Sequence, residues 1–134
     1  MPTRRTATAL LAAAAVALGG LTAAATAAQA APGCKVEYKI TNQWGGGYGA
    51  DVTVTNLGDS VGSWTVGWTF TAGQKIQQLW NGTVAQSGSQ VTVSNAAYNG
   101  SIATGGNTSF GFNGAWTGSN PVPATFSLNG TVCS

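Results

Sequence analysis

The chain has 134 residues, with only five lysines and arginines, three acids and no histidine, for a net charge of +2. That length holds one domain at most, and without histidine there is no Ser-His-Asp triad and no His-ligated zinc or copper centre. So few charges also leave no basic patch for nucleic acid or an anionic membrane.

In chain order, residues 1–30 come first. Arg4 and Arg5 make a short basic start, and the apolar run from Ala9 to Leu18 is too short and Ala-rich to span a bilayer. Ala28-Gln29-Ala30 then places small residues where a signal peptidase reads, so residues 1–30 are expected to be a signal peptide cleaved after Ala30. Thr6-Ala7-Thr8 follows the arginine pair where a twin-arginine signal would want large apolar residues, which points to ordinary export. Residues 31–134 remain as the working module, secreted and extracellular.

Beyond residue 30 the charged residues are Lys35, Lys39, Lys75, Glu37, Asp51 and Asp59, which sum to zero. The +2 resides in Arg4 and Arg5, and a neutral module calls for an uncharged partner. Cys34 and Cys133 stand near the two ends of this segment, and an exported pair oxidises to a disulfide. Such a bridge joins the first strand to the last, and the loop of about 100 residues that it closes corresponds to about 4–5 kcal/mol in the chain-entropy account.

The segment alternates apolar and polar residues repeatedly. Val36, Tyr38 and Ile40 alternate with Lys35, Glu37 and Lys39; Ala50, Val52 and Val54 with Asp51, Thr53 and Thr55; Trp64, Val66, Trp68 and Phe70 with Thr65, Gly67, Thr69 and Thr71. Val91 with Val93, Phe110 with Phe112, and Phe126 with Leu128 continue the series. Each reads as a strand with one buried face, and Asn/Gly/Ser clusters between them supply turns. The pattern predicts an all-β fold: an antiparallel β-sandwich of immunoglobulin-like or jelly-roll-like type with eight to nine strands. Function then belongs on an outer face or in the end loops.

Glycoside hydrolysis needs two carboxyl groups flanking one bond. The three acids fall instead on Glu37, outward between lysines, Asp51, on a polar strand face, and Asp59, in a turn. With both cysteines committed, no thiol nucleophile remains, and the chain reads as a non-enzyme without metal or cofactor. Four Asn-x-Ser/Thr sequons, at Asn81, Asn99, Asn107 and Asn129, carry no functional weight in a chain this rich in Asn, Ser and Thr.

Five tryptophans are more than the strands need. Trp64 and Trp68 are in phase with Val66 and Phe70 and read as core, their N–H groups requiring partners. Trp44, before Gly45-Gly46-Gly47, Trp80, before Asn81-Gly82, and Tyr98, before Asn99-Gly100, share another grammar: a large ring beside a turn that cannot cover it. Jointly exposed, they form an apolar patch of the kind a monomer reserves for binding. A flat, neutral, repetitive partner fits: pyranose rings present C–H faces that stack on indole or phenol, while rim hydroxyls bond to amides. Asn42 lies two residues before Trp44 and Gln78 two before Trp80, placing each amide beside its ring on an extended strand.

These residues resemble a family 2 carbohydrate-binding module of the cellulose-binding type found on actinobacterial glycoside hydrolases. The likeness is carried by Cys34 and Cys133, by "NQWGGGYGADVTVTN", "SWTVGWTF", "GQKIQQLWN", "VTVSNAAYNGSIATGG", "FGFNG" and "FSLNGTVC". It implies a β-sandwich with three aligned aromatics, Trp44, Trp80 and Tyr98, flanked by the amides of Asn42, Gln78 and Asn113. The partner it implies is an insoluble polysaccharide bound by a monomer, with no nucleic acid or membrane. Three departures stand out: Ser109 where a longer Gln is usual, Asp51 where Asn is common, and Tyr98 where Trp is commoner. Trp116 reads as local cover, the alternative being an extra contact to the ligand. The xylan-binding branch lacks the third aromatic and carries an Arg after its second Trp; here Tyr98 is present and no Arg follows residue 30, so crystalline cellulose is favoured over xylan, with chitin open. The alternative of another class is an exported sandwich carrying an apolar small molecule in a concave pocket.

Overall fold

The structure is a computed structural model that describes residues 33–134; the signal-peptide expectation for residues 1–30 lies outside the described residues. The described residues form nine strands: β1 (Cys34–Trp44), β2 (Gly47–Asn56), β3 (Thr65–Thr69), β4 (Lys75–Trp80), β5 (Gly82–Ser87), β6 (Gln90–Asn95), β7 (Asn107–Ala115), β8 (Phe126–Leu128) and β9 (Thr131–Val132). They make two antiparallel sheets, four-stranded in the order β1-β2-β7-β4 and five-stranded in the order β5-β6-β3-β8-β9. The expected all-β sandwich is what the chain forms.

The alternation explains the core. Ala50, Val52 and Val54 of β2 and Phe110 and Phe112 of β7 point inward from one sheet, and Val66 and Trp68 of β3, Val91 and Val93 of β6 and Phe126 and Leu128 of β8 from the other. Trp64 and Phe70 flank β3 and are buried as well. Trp68 sits at the centre, with ring centroids about 6 Å from those of Phe110, Phe112, Phe126 and Tyr38. Trp64 donates its indole N–H to Asn99 O at 2.8 Å. Trp68 departs from the expectation: its Nε1 is buried without a hydrogen-bond partner, in a ring packed among Phe110, Phe112 and Phe126. A buried donor left unpaired costs about 1–3 kcal/mol, which the packing of that large ring offsets.

The Cys34–Cys133 disulfide joins the first residue of β1 to the residue after β9, across 99 positions. Since β1 and β9 belong to different sheets, the bridge ties the layers together. Beside it, Ser134 N donates to Cys34 O at 3.0 Å and Val36 N to Ser134 O at 3.2 Å.

The strands that alternation alone did not reveal are β4, β5 and the two-residue β9. In β4 a bulge between Ile76 and Gln78 puts the inward residues Ile76 and Leu79 three apart, which erases the period of two. Between β4 and β5 a single residue, Asn81 at φ 64°, turns the chain from one sheet into the other, so Asn81-Gly82 is a corner between layers.

Tyr38 and Tyr48 meet between the sheets, Tyr38 Oη donating to Tyr48 Oη at 3.3 Å. Burial, then the bond to Tyr48 and repulsion from its oxygen, raise the Tyr38 phenol well above its usual value of 10.0. Burial raises Tyr48 too, partly offset by its bond to Tyr38. Both phenols are therefore neutral in the fold and ionise more easily when it opens, so their stabilisation is complete below about pH 10 and is lost as pH rises above it. Urea midpoints should fall progressively as pH rises from about 9.5 to 11, as the unfolded chain releases phenol protons that the fold retains; Tyr38→Phe should flatten that fall.

Candidate functional site

The outer face of the four-stranded sheet carries the candidate residues. Three successive rows cross it. In the first, Trp44 of β1 pairs with Gly47 of β2, then Ala115 of β7 and Lys75 of β4. In the second, Asn42 pairs with Gly49, Asn113 and Gln78. In the third, Lys39 pairs with Asp51, Gly111 and Trp80. Alternation puts all of these on the face away from the core.

Each tryptophan lies across a glycine of the neighbouring strand. A methyl group built on Gly47 would overlap Nε1, Cε2 and Cζ2 of Trp44, and one built on Gly111 would lie 2.6–2.7 Å from the same three atoms of Trp80. No side chain fits there, so the indoles rest on bare backbone and the glycines beneath are buried. The upper faces stay open: Trp44 is 48% exposed and Trp80 43%. The two edge strands thus lean their rings inward over β2 and β7, and the glycine floors stand four residues apart, about 14 Å along the strands. One pyranose cannot touch both rings; a chain of them can.

Between the tryptophans lies the amide row. A methyl group on Gly49 would come within 2.5 Å of Asn42 Oδ1 and 3.5 Å of Asn113 Oδ1, so this glycine lets the two amides converge over β2. Gln78 completes the row from β4.

Tyr98 belongs to the segment after β6 and is 75% exposed. Its Oη donates to Asn81 Oδ1 at 2.5 Å, and Asn99 Nδ2 donates to Asn81 O at 2.8 Å. Asn99 O in turn accepts the indole N–H of core Trp64. The third ring is therefore fastened to the corner that immediately follows Trp80.

The structure brings Trp44, Asn42, Asn113, Gln78 and Trp80 onto one face and fixes Tyr98 at its margin. Asp51 is exposed within the third row, between Lys39 and Gly111, and Ser109 is exposed one row farther along the same sheet. Among the described residues the only ion pair is Lys35–Glu37 at 3.9 Å, solvent-exposed and weak. None of the described His, Cys, Asp or Glu residues gathers in a group of three that could hold a metal ion. A groove of about 540 Å³ on the opposite sheet is lined mainly by Thr, Ser and Gln, unlike the apolar pocket a carrier would need.

Sequence reasoning missed the floors. Gly49 and Gly111 are ordinary strand glycines until the register sets them beside Asn42 and beneath Trp80, and Gly47, which in sequence only leaves Trp44 uncovered, supports the ring from below.

Residues 34–133 match the family described as "Cellulose binding domain". Among curated proteins, endoglucanase A of Cellulomonas fimi is 70% identical over 109 residues, 81% of this chain and 24% of that protein. Endoglucanase CelA of Streptomyces lividans is 52% identical over 121 residues, 89% of this chain and 26% of its own. The chain thus spans about a quarter of the length of these relatives. Among solved structures, the chitin-binding domain of Chi18aC from Streptomyces coelicolor superposes with a TM-score of 0.62 at 42% identity, covering 75% of this chain and 93% of that one.

Gly111→Ala tests the floors. The added methyl group would meet the Trp80 ring first, and the other face of that ring is in solvent, so the variant should still fold, with a modestly lower urea midpoint from the lost contact and a displaced indole seen as a shift of the Trp80 indole N–H resonance.

Proposed function

The chain belongs to the cellulose-binding domain family, and we propose that its face of Trp44, Trp80 and Tyr98 binds crystalline cellulose by stacking pyranose rings on the aromatics. The domain is non-catalytic. One observation carries the reading: two indoles on opposite edge strands are laid inward over glycine, so that both present open rings on one sheet face with amides between them. A rigid, flat array suits a rigid, flat ligand, because a crystalline chain has already lost the conformational freedom that a soluble one would lose on binding. Asn42, Asn113 and Gln78 offer donors and acceptors to rim hydroxyls, and stacking on a neutral surface leaves little for salt to screen.

The relatives' names support cellulose first, two of them being endoglucanases. Chitin is the competing polysaccharide, since a solved domain at 42% identity is a chitin-binding one. Both present equatorially substituted β-linked pyranoses to the same rings. Export as part of a glycoside-degrading system follows from this reading, with the monomer as the binding unit.

Adsorption to microcrystalline cellulose, chitin and insoluble xylan, measured side by side by depletion, should be strongest on cellulose and nearly constant from low to high salt. Trp44→Ala and Trp80→Ala should each weaken adsorption by about 1–3 kcal/mol with folding intact. Unchanged adsorption of the double variant would overturn the proposal.

A further inference from the structure

The turn that carries Trp44 has almost nothing of its own to hold it. Trp44 is the last residue of β1, an edge strand, and the connection to β2 is Gly45-Gly46. A methyl group on either glycine would touch nothing within 4 Å, so no packing at these two positions holds the turn, and glycines lose the most conformational freedom on ordering. Yet Trp44 must keep its ring over Gly47. The restraint comes from residues beyond the end of β7.

Trp116 supplies three hydrogen bonds to this turn. Its indole Nε1 donates to Trp44 O at 3.1 Å and to Gly47 O at 3.1 Å, spanning the two residues that close the hairpin. Its backbone N–H donates to Gly46 O at 3.2 Å. The ring itself is partly buried against the core, so the donor is fixed. Four residues on, Asn120 Nδ2 donates to Gln43 Oε1 at 3.2 Å, next to Trp44. Asn120 Oδ1 accepts from Gln74 Nε2 at 3.2 Å, and Gln74 is buried and also donates to Pro121 O at 3.0 Å. A continuous path of amides thus runs from the interior to the hairpin.

We infer that Trp116, assisted by Asn120, is a positioning residue that clamps the β1–β2 hairpin and holds the Trp44 ring in its binding geometry. The inference rests on the reading of Trp44 as a stacking platform. An unclamped hairpin keeps its strands but spends part of its time with the ring displaced, and affinity falls in proportion to the competent fraction.

Trp116→Phe keeps an aromatic ring against the core and removes the indole donor. Its adsorption to cellulose should weaken about two- to tenfold, the factor that one net hydrogen bond sets. Backbone order parameters of residues 45–47 should drop from about 0.85 towards 0.6, while those of the core strands stay constant. Rescue distinguishes clamping from general damage. Positive φ at Gly46 but not at Gly45 marks a type II turn, whose first central position accepts proline. Gly45→Pro stiffens the turn without Trp116, so Gly45→Pro/Trp116→Phe should regain both order and adsorption. Asn120→Ala, on the surface, should give a smaller change of the same kind.

Wild-type adsorption and order in Trp116→Phe would overturn the clamp, as would a double variant that recovers order without affinity. Trp44→Ala in the same assay keeps the two readings apart. Loss there with none in Trp116→Phe overturns the clamp alone; no loss in Trp44→Ala overturns the platform itself.

Discussion

An indole lying on bare backbone is the contact that organises this surface. A β-sheet ordinarily raises a side chain at every outward position, and a tryptophan among them would stand on edge between neighbours. Glycine at Gly47 and Gly111 removes the obstacle one strand in from Trp44 and Trp80, so each ring falls inward and covers the gap with one face. Its other face remains in water. Much of the apolar surface is buried against the protein, at about 25 cal/mol per Å², and the remainder is offered to a partner. The arrangement depends on register: shifted by one residue, the glycines would face the core and the rings would lose their floors.

The rest of the fold serves that register. β2 and β7 lie in the middle of the four-stranded sheet, and their inward residues, Val52, Val54, Phe110 and Phe112, are among the most buried in the domain. That packing fixes which residues face outward. The edge strands β1 and β4 are pinned at their ends, β1 by the disulfide at Cys34 and by Trp116 at its far end, β4 by the Asn81 corner that also anchors Tyr98. The hydrogen bonds at the Trp44 end of β1 and at the Asn81 corner thus lie beside the aromatic side chains.

Much of this was legible in the sequence, and the rest was hidden for identifiable reasons. Period-two alternation gave the inward faces of β1, β2, β3, β6, β7 and β8, and two distant cysteines in an export context gave the bridge. Trp64 and Trp68 declared themselves core by phase. β4 was obscured by its bulge at Gln77, and β5 by its half-buried place at a sheet edge. The unpaired N–H of Trp68 was beyond reach, since phase places a ring without naming its neighbours. Gly111 and Trp116 illustrate the deeper limit: their partners lie 31 residues away in Trp80 and 72 away in Trp44, and only the register of β4 on β7 and the path of the chain past Ala115 bring them together.

The most direct test of the stacking account is a titration of the ¹⁵N-labelled domain with a soluble cello-oligosaccharide, following all five indole N–H resonances. The account predicts that the signals of Trp44 and Trp80 move, together with the backbone amides of Gly47, Gly49 and Gly111, while those of Trp64 and Trp68 hold still. Movement confined to the five-stranded sheet, with Trp44 and Trp80 unmoved, would contradict it.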